Sequence, residues 1–208
     1  MTFRSATTRA AVTVVLGAGA ALCVSAAAPG TVPVAPAVAN EAAAATVTAL
    51  VQDDTATAAA LFPDDFATVM DYAPVAEPGF TADEVLADPD GDCSSPVPLP
   101  EIFEPACRVH DLGYDLLRYA RDTGGELEPQ ARRDLDAQLA RNLRASCRTS
   151  SAATVPACDT VAFVASAVVR INSWRQGYRL PVSESPVPYL ATAAALAASA
   201  AASRGRIR

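Results

Sequence analysis

Residues 107–114 read Cys-Arg-Val-His-Asp-Leu-Gly-Tyr, and this stretch determines how the rest of the chain is interpreted. It contains the only histidine in the 208 residues. Four of its side chains are spaced i, i+3, i+4 and i+7, so a helix would place them on one face: Cys107, His110, Asp111 and Tyr114. That face would combine a disulfide anchor, a base that titrates near neutral pH, a carboxylate suited to a hard cation, and a phenol. These groups are sufficient for metal-assisted hydrolysis.

The charge of the chain limits its partners. The formal net charge is -7, and residues 1–39 contain two arginines and no acid, so the remainder has 14 basic and 23 acidic groups, a net charge of -9. A surface this acidic is not expected to bind nucleic acid or to dock electrostatically on anionic lipid. It is compatible with binding a divalent cation, and we expect a monomer.

Residues 1–39 predict a secretory signal peptide followed by a linker. Two arginines precede an uncharged stretch over residues 10–28 whose centre is rich in valine and leucine. Small-x-small cleavage sites lie near residues 26–28 and at residues 37–39. With cleavage the protein is secreted, and an uncleaved anchor helix is the alternative.

Cleavage would leave four of the five cysteines in the mature chain: Cys93, Cys107, Cys147 and Cys158. An even number of cysteines in an exported chain predicts disulfide bonds, for which three pairings exist. Proximity in sequence favours Cys93–Cys107 and Cys147–Cys158. Each bond would close a short loop and stabilise the fold by roughly 3 kcal/mol in the chain-entropy model. A zinc site is disfavoured because the sequence contains no Cys-x-x-Cys.

The region 40–87 is predicted to consist of helices and loops. Asn40 is suited to cap a helix over residues 41–61, which Pro63 would end. A short helix is predicted over residues 81–87, because a threonine precedes two acidic residues that suit a helix N-terminus.

Two longer helices are predicted to form the centre of the domain. The first begins near Pro105 and ends at about residue 120, before a Gly-Gly pair. The second runs from residues 128–130 to Cys147. Because a short loop joins them, we expect them to pack antiparallel. A third, strongly apolar helix over residues 159–174 is expected to supply the third wall of the core.

The second long helix contains a core stripe and an adjacent carboxylate. Its leucines at positions 135, 139 and 143 are spaced i, i+4 and i+8. Asp136 lies next to this stripe, so in an antiparallel pair it can face His110, although Asp134 competes for that position on pattern alone. A buried carboxylate beside a histidine fixes the tautomer of the ring and supports the positive charge formed when the ring takes a proton.

An acidic turn precedes the first long helix. Residues 88–95 read Asp-Pro-Asp-Gly-Asp-Cys-Ser-Ser, which places three carboxylates and a glycine within five residues. Calcium takes carboxylate and backbone oxygens as ligands, and glycine lets the backbone turn toward the ion. The twelve-residue EF-hand pattern is absent, and such a run by itself is more often a solvated turn. A Cys93–Cys107 bond would bring the turn beside His110 and Asp111.

Together these segments resemble the secreted phospholipase A2 enzymes of bacterial and fungal type. The resemblance covers about residues 88–175, and its motifs are Asp-Gly-x-Cys-Ser at 90–94, Ala-Cys-x-x-His-Asp-x-Gly-Tyr at 106–114, and Asp136 eleven residues before Cys147, with Cys158 eleven residues further on. It implies a small, disulfide-linked, all-α catalytic domain, which we place at residues 88–178. It also implies calcium-dependent hydrolysis of the sn-2 ester of glycerophospholipids in a membrane or micelle, with a lysophospholipid and a fatty acid as products.

The resemblance implies roles for individual residues, carried over position by position. His110 is the general base that activates water, Asp136 orients it, and Tyr114 hydrogen-bonds within their network. Asp111 gives calcium a carboxylate. The cysteine pairs of the family are the same two that proximity favours.

The calcium loop departs from the family pattern. The family usually has an aspartate two positions before the cysteine, where this chain has Gly91. The second carboxylate ligand is then that of Asp92, or that of Asp90 if one residue is inserted. A backbone carbonyl of the loop at residues 90–92 is the further calcium ligand that the resemblance implies. The spacing from His110 to Asp136 is also a few residues longer than usual.

A second class of function is a catalytically silent secreted protein that uses the same disulfide-linked scaffold for binding or surface interaction. Residues 179–208 form an alanine-rich tail, and its charge-free run over residues 188–203 is short for a membrane span. The tail is interpreted as a weak membrane anchor, a surface helix or a disordered segment. As an anchor, it would retain the protein at the cell membrane.

Overall fold

Helices make up most of the structure. The computed structural model describes residues 39–80, 83–95, 98–149 and 154–182. In chain order the elements are α1 (Glu41–Val51), α2 (Thr55–Ala60), α3 (Phe66–Met70), β1 (Val75–Pro78), β2 (Glu84–Ala87), a 3-10 helix (Glu101–Phe103), α4 (Glu104–Asp122), α5 (Pro129–Cys147) and α6 (Val155–Arg175). The predicted all-α class is therefore confirmed in its coarser form, as a mostly helical fold with a small two-stranded sheet.

The ends of the chain are not part of this description. The predicted signal peptide and linker, up to residue 38, and the alanine-rich tail from residue 183 lie outside the described residues. The described residues up to Pro181 belong to one compact unit. A domain boundary within this unit, at residue 88, stays a prediction.

The first predicted helix is divided in two. Asn40 caps α1 as predicted, because its side-chain oxygen accepts a hydrogen bond from the Ala43 amide at 3.0 Å. The single helix over residues 41–61 is wrong, since Asp53 adopts a left-handed conformation with φ 58°. Asp54 then caps α2 by accepting a hydrogen bond from the Thr57 amide at 3.0 Å.

The predicted helix over residues 81–87 is wrong, because the described part of this segment is a β-strand. β2 pairs antiparallel with β1, with Val75 opposite Ala87 and Pro78 opposite Glu84. Three consecutive residues of β2, from Val85 to Ala87, are buried. Burial and cross-strand hydrogen bonds therefore outweigh the local helix signal. The proposed cap, Thr81, lies outside the described residues.

Helices α4 and α5 form the centre of the fold. Pro105 lies in the first turn of α4, and α5 runs from Pro129 to Cys147 as predicted. The predicted leucine stripe is confirmed: all three leucines, at positions 135, 139 and 143, are buried. Gly113 permits the close approach of the two helices, because a β-carbon at that position would collide with the side chain of Leu135.

Two disulfide bonds join these helices to their neighbours, and both match the predicted pairing. Cys93–Cys107 has a Cα–Cα distance of 5.1 Å and ties the acidic turn to α4. Cys147–Cys158 has a Cα–Cα distance of 5.7 Å and ties the end of α5 to the start of α6.

Helix α6 packs on α5 through small side chains. Its buried residues are Ala162, Ser166 and Ser173. Partly buried valines of α6 also pack on the core, so this helix supplies the third wall of the core as predicted. Other large apolar residues of the helix do not face the core. Phe163 and Val168 are 60% and 58% exposed. Small inner residues allow a close helix–helix contact, and the bulky side chains then face outward.

Candidate active site

The candidate site is centred on a buried histidine–carboxylate pair. His110 of α4 and Asp136 of α5 are 7% and 1% exposed. The His110 Nε2 lies 3.2 Å from the Asp136 Oδ1. Asp134, the competing candidate, accepts a hydrogen bond from Gln130 one turn earlier on the same helix, at 2.7 Å. The structure therefore brings Asp136, and not Asp134, to the imidazole.

Tyr114 contacts both members of this pair. Its hydroxyl donates a hydrogen bond to the Asp136 Oδ1 at 2.7 Å, and its ring centroid lies 4.1 Å from that of His110. Burial raises the pKa of the Tyr114 phenol to about 12, and the negative charge of Asp136 acts in the same direction. The phenol therefore stays protonated at neutral pH and acts as a donor to the carboxylate.

Two residues that sequence reasoning missed complete the network. Arg132 is 1% exposed; its Nε donates to the Tyr114 hydroxyl at 3.3 Å, and its guanidinium lies 5.0 Å from the Tyr114 ring centroid. The Ser173 hydroxyl lies 3.1 Å from the Tyr114 hydroxyl. Arg132 precedes Asp136 by four residues and shares its helix face, so the spacing offered a signal for it. Ser173 lies on α6, and no local pattern pointed to it.

The hydrogen bonds of the buried carboxylate are all at one of its two oxygens. The Asp136 Oδ1 contacts the imidazole and the Tyr114 hydroxyl. Within the described residues, the Asp136 Oδ2 is buried without a hydrogen-bond partner.

The acidic turn is held against α4 by its backbone. The Asp88 amide donates to the Arg108 carbonyl at 3.2 Å, and the Arg108 Nε donates to the Asp88 carbonyl at 2.9 Å. The Asp92 amide donates to the Asp111 Oδ2 at 3.1 Å. Gly91 fits closely here, because a β-carbon would lie 3.1 Å from that same oxygen and 3.2 Å from the Arg108 Cα. The turn therefore lies directly beside Asp111.

The side chains of the two candidate loop ligands point to solvent. Asp90 and Asp92 are both exposed, and the Asp92 Oδ1 accepts a hydrogen bond from Ser94 at 2.5 Å. Within the described residues, no group of three or more His, Cys, Asp or Glu side chains is placed to hold a metal ion. The structure thus brings the backbone of the turn to Asp111, and it does not gather the three carboxylates into one cluster.

Asp111 has the chemical character of a ligand for a hard cation. Burial raises the pKa of its carboxyl to about 6; the charge of His110 opposes that rise, and the charges of Asp88 and Asp115 add to it. A partly buried carboxylate among other acids is stabilised by a cation. A carboxylate is a ligand type that calcium accepts, and the group of the turn that contacts Asp111 is the amide of Asp92, which is a hydrogen-bond donor.

No family model, curated protein or solved structure matches this chain. The functional interpretation therefore depends on the motifs in the sequence and on the geometry described above.

Proposed function

We propose that this protein is a secreted, calcium-dependent phospholipase A2 that hydrolyses the sn-2 ester of glycerophospholipids. The observation that carries the proposal is the buried contact of 3.2 Å between the His110 Nε2 and the Asp136 Oδ1, formed on neighbouring helices beside Asp111. The phospholipid substrate comes from the resemblance of the motifs, and the hydrolytic chemistry is supported by this geometry.

The proposed role of His110 follows from its hydrogen bonds. Because the Nε2–H donates to Asp136, the neutral ring has its free lone pair on Nδ1. Within the described residues, Nδ1 has no protein partner, so it is the nitrogen that would accept a proton from an attacking water. The resulting imidazolium is stabilised by Asp136, and it then protonates the leaving alkoxide of the lysophospholipid.

Tyr114 and Arg132 would hold the carboxylate in place during these proton transfers. The Tyr114 hydroxyl bonds the same Asp136 oxygen that faces the imidazole, and Arg132 in turn donates to Tyr114. A carboxylate fixed in this way cannot rotate away from the ring, so the ring keeps the tautomer and orientation that water activation requires.

Asp111 would hold the calcium ion, together with oxygens of the turn at residues 90–92. When bound, calcium supplies Lewis-acid polarisation of the ester carbonyl and compensation of the negative charge that develops on its oxygen. Asp111 follows His110 directly in the sequence, and the Cys93–Cys107 bond keeps the turn next to it. Two disulfide bonds are also compatible with an extracellular protein.

The proposal is tested by measuring fatty-acid release from vesicles whose phospholipid is labelled separately at the sn-1 and sn-2 chains. We expect release of the sn-2 chain that requires calcium, stops in EGTA, and falls by about 10²- to 10⁴-fold in His110→Gln. Release that persists in EGTA or in His110→Gln would contradict the mechanism. An absence of release by the correctly folded wild type with calcium would leave the catalytically silent binding protein as the better interpretation.

A further inference from the structure

The outward side of α6 carries an apolar stripe. Phe163, Val164 and Trp174 are 60%, 54% and 48% exposed, and Ala167 and Ile171 between them are partly exposed. Single exposed apolar residues are common on soluble proteins, but a contiguous patch is unusual without a partner. We name these five residues the outer face of α6.

The outer face has the shape of a helix-packing surface. A helix turns by about 100° per residue, so the five residues fall within about one third of its circumference, over a length of about 17 Å. Positions 160, 164, 167, 171 and 174 follow one another in steps of four and three. This is the spacing with which one helix packs along another.

The fold holds α6 in place from its inner side. The Ser173 hydroxyl lies 3.1 Å from the Tyr114 hydroxyl, and Cys158 is bonded to Cys147. Among the described residues, α6 is the helix that is long and apolar enough to span a membrane, but these contacts keep it in the domain. A partner therefore meets a preformed surface, and little ordering is required on association.

Two exposed charges of opposite sign border the outer face on the same side. Asp159 and Arg170 are eleven residues apart, which is close to three turns, so they lie one above the other, about 16 Å apart along the helix. That distance is too long for an ion pair within the helix. In the part of the chain that the structure describes, neither side chain has a hydrogen bond or an ion pair.

These charges fit a second copy of the same helix in antiparallel orientation. Under a two-fold axis, a contact of Asp159 with Arg170 of the second copy is made twice. In an antiparallel pair the same side of each helix lies together, so both charges of one copy meet the opposite charges of the other. In a parallel pair these sides lie apart, and the charges meet no partner.

The same register also places large side chains against small ones. With Asp159 opposite Arg170, the two-fold axis passes between residues 164 and 165, and Val164 meets Val164 of the second copy. Phe163 then lies over Ala167 of the second copy, and Trp174 lies over its exposed Pro156. Each bulky ring therefore faces a small or flat side chain, as close helix packing requires.

We propose that the protein forms an antiparallel homodimer through the outer face of α6, with Asp159 of each copy paired to Arg170 of the other. The proposal does not depend on ester hydrolysis, and it replaces the monomer expected from the sequence. One helix pair of this length buries less than the standard interface of about 1,600 Å². The dimer is therefore expected to dissociate reversibly, with a Kd on the order of 10 µM.

Sedimentation velocity of the full-length protein in EGTA, without lipid, measures the association. We expect a reversible monomer–dimer equilibrium between about 1 and 100 µM. Val164→Glu should weaken dimerisation at least tenfold, because two like charges meet at the two-fold axis. Val69→Glu changes a valine that is 37% exposed on α3 and should not. A wild type that stays monomeric at about 100 µM, or a dimer that survives Val164→Glu, would overturn the proposal.

Charge reversal tests the pairing of the two bordering residues. Asp159→Arg and Arg170→Asp should each weaken self-association severalfold, since the contacts between copies then join like charges. An equimolar mixture of the two variants should associate again, because each ion pair is restored in the reverse direction. The controls Asp64→Arg and Arg144→Asp change the net charge equally at other exposed positions, and neither they nor their mixture should alter association. A mixture of the first two that associates no better than either alone would contradict the pairing.

A cysteine at the two-fold axis reports the register itself. Val164→Cys should form a disulfide between two copies under mild oxidation, because the axis brings its Cα atoms within the range of about 4.4–6.8 Å that a disulfide needs. Val168→Cys is a matched control, since Val164 and Val168 are 54% and 58% exposed, but its two copies are offset by about 10 Å along the helices. Equal cross-linking at the two positions would overturn the proposed register.

Thermal unfolding checks that each variant is folded, and if Val164→Glu unfolds, the charge-reversed mixture and the cysteine pair decide. Vesicle flotation separates a lipid surface from a second copy as the occupant of the outer face. A monomeric wild type that binds phospholipid vesicles, with binding lost in Val164→Glu, would assign the face to lipid and overturn the dimer.

Discussion

The imidazole of His110 contacts the carboxylate of Asp136 at 3.2 Å although 26 residues separate them in the chain. The contact depends on how closely α4 approaches α5. Gly113 lies one turn from His110, and a side chain there would collide with Leu135, the neighbour of Asp136. The candidate catalytic pair is therefore formed by the packing of two helices, and changes to that packing are expected to affect it.

Asp136→Asn is expected to lower sn-2 hydrolysis by about 10³- to 10⁴-fold, because an amide no longer fixes the productive tautomer of the imidazole or stabilises its positive charge. The measurement is kcat and KM on phospholipid vesicles with saturating calcium. Most of the loss should lie in kcat. Asp134→Asn is the matched control on the same helix, and it should change kcat less than twofold; equal losses in the two variants would contradict the assignment.

Arg132→Met is expected to lower kcat for sn-2 hydrolysis by about tenfold or more, because the guanidinium no longer holds the Tyr114 hydroxyl that bonds Asp136. The measurement is kcat and KM on phospholipid vesicles with saturating calcium. The control is Arg133→Met, which removes a guanidinium that stacks on the Tyr178 ring at 4.1 Å on the outside of the same helix, and it should leave kcat unchanged. A loss of stability in Arg132→Met with no loss in kcat would show that the role of Arg132 is purely structural.

Asp111→Asn is expected to stabilise the protein in EGTA at pH 7.5 by about 3 kcal/mol. In the folded state the pKa of Asp111 is raised from an ordinary value of 3.8 to about 6. The folded state therefore binds the proton more readily than the unfolded chain. The charged carboxylate lowers the free energy of unfolding of the wild type, and this loss is absent below pH 3.8 and complete above pH 6. The gain in the variant should vanish at low pH.

The same thermal melts test the cation. Calcium should raise the melting temperature of the wild type at pH 7.5 and should have little effect on Asp111→Asn, because the ligand carboxylate is missing. Asp134→Asn serves as the control for removal of a carboxylate outside the site. An equal calcium response in wild type and Asp111→Asn would exclude Asp111 as the ligand.

Gly113→Ala is expected to lower the free energy of unfolding by about 1–3 kcal/mol, because the added methyl group must displace Leu135. Activity should fall as well, since separation of the helices lengthens the contact between His110 and Asp136. Urea unfolding and kcat are the measurements. In the double variant Gly113→Ala/Leu135→Val, the shorter side chain should make the combined cost smaller than the sum of the two single costs; an additive result would show that the two residues are not in contact.

Local sequence patterns predicted the frame of the site. The spacing within residues 107–114 placed His110, Asp111 and Tyr114 on one helix face, and the leucine stripe of α5 placed Asp136 next to the core. Two pairs of nearby cysteines gave the disulfide pairing that the structure has. These features depend on helix periodicity and on short loops, which are properties of adjacent residues in the chain.

The errors arose where distant contacts outweigh local preference. The segment at Glu84–Ala87 has a helix-like start, but it becomes a strand because β1 supplies its hydrogen bonds and the core buries three of its residues. The first predicted helix ends early, at Val51, because Asp53 adopts a left-handed conformation and Asp54 caps a second helix.

The sequence by itself determined His110, the two covalent links and the long helices, because periodicity and spacing are local. It left Asp134 and Asp136 as alternatives for the carboxylate of the candidate pair, and the packing of α5 on α4 decided for Asp136. Only the tertiary structure decided that Arg132 and Ser173 join the network of Tyr114, and that the backbone of the acidic turn faces Asp111 while the side chains of its exposed aspartates point to solvent. It also decided that the small residues of α6 face inward and its large apolar residues outward. Each of these outcomes depends on which surfaces approach one another in space, and burial, packing volume and long-range hydrogen bonds decide that approach.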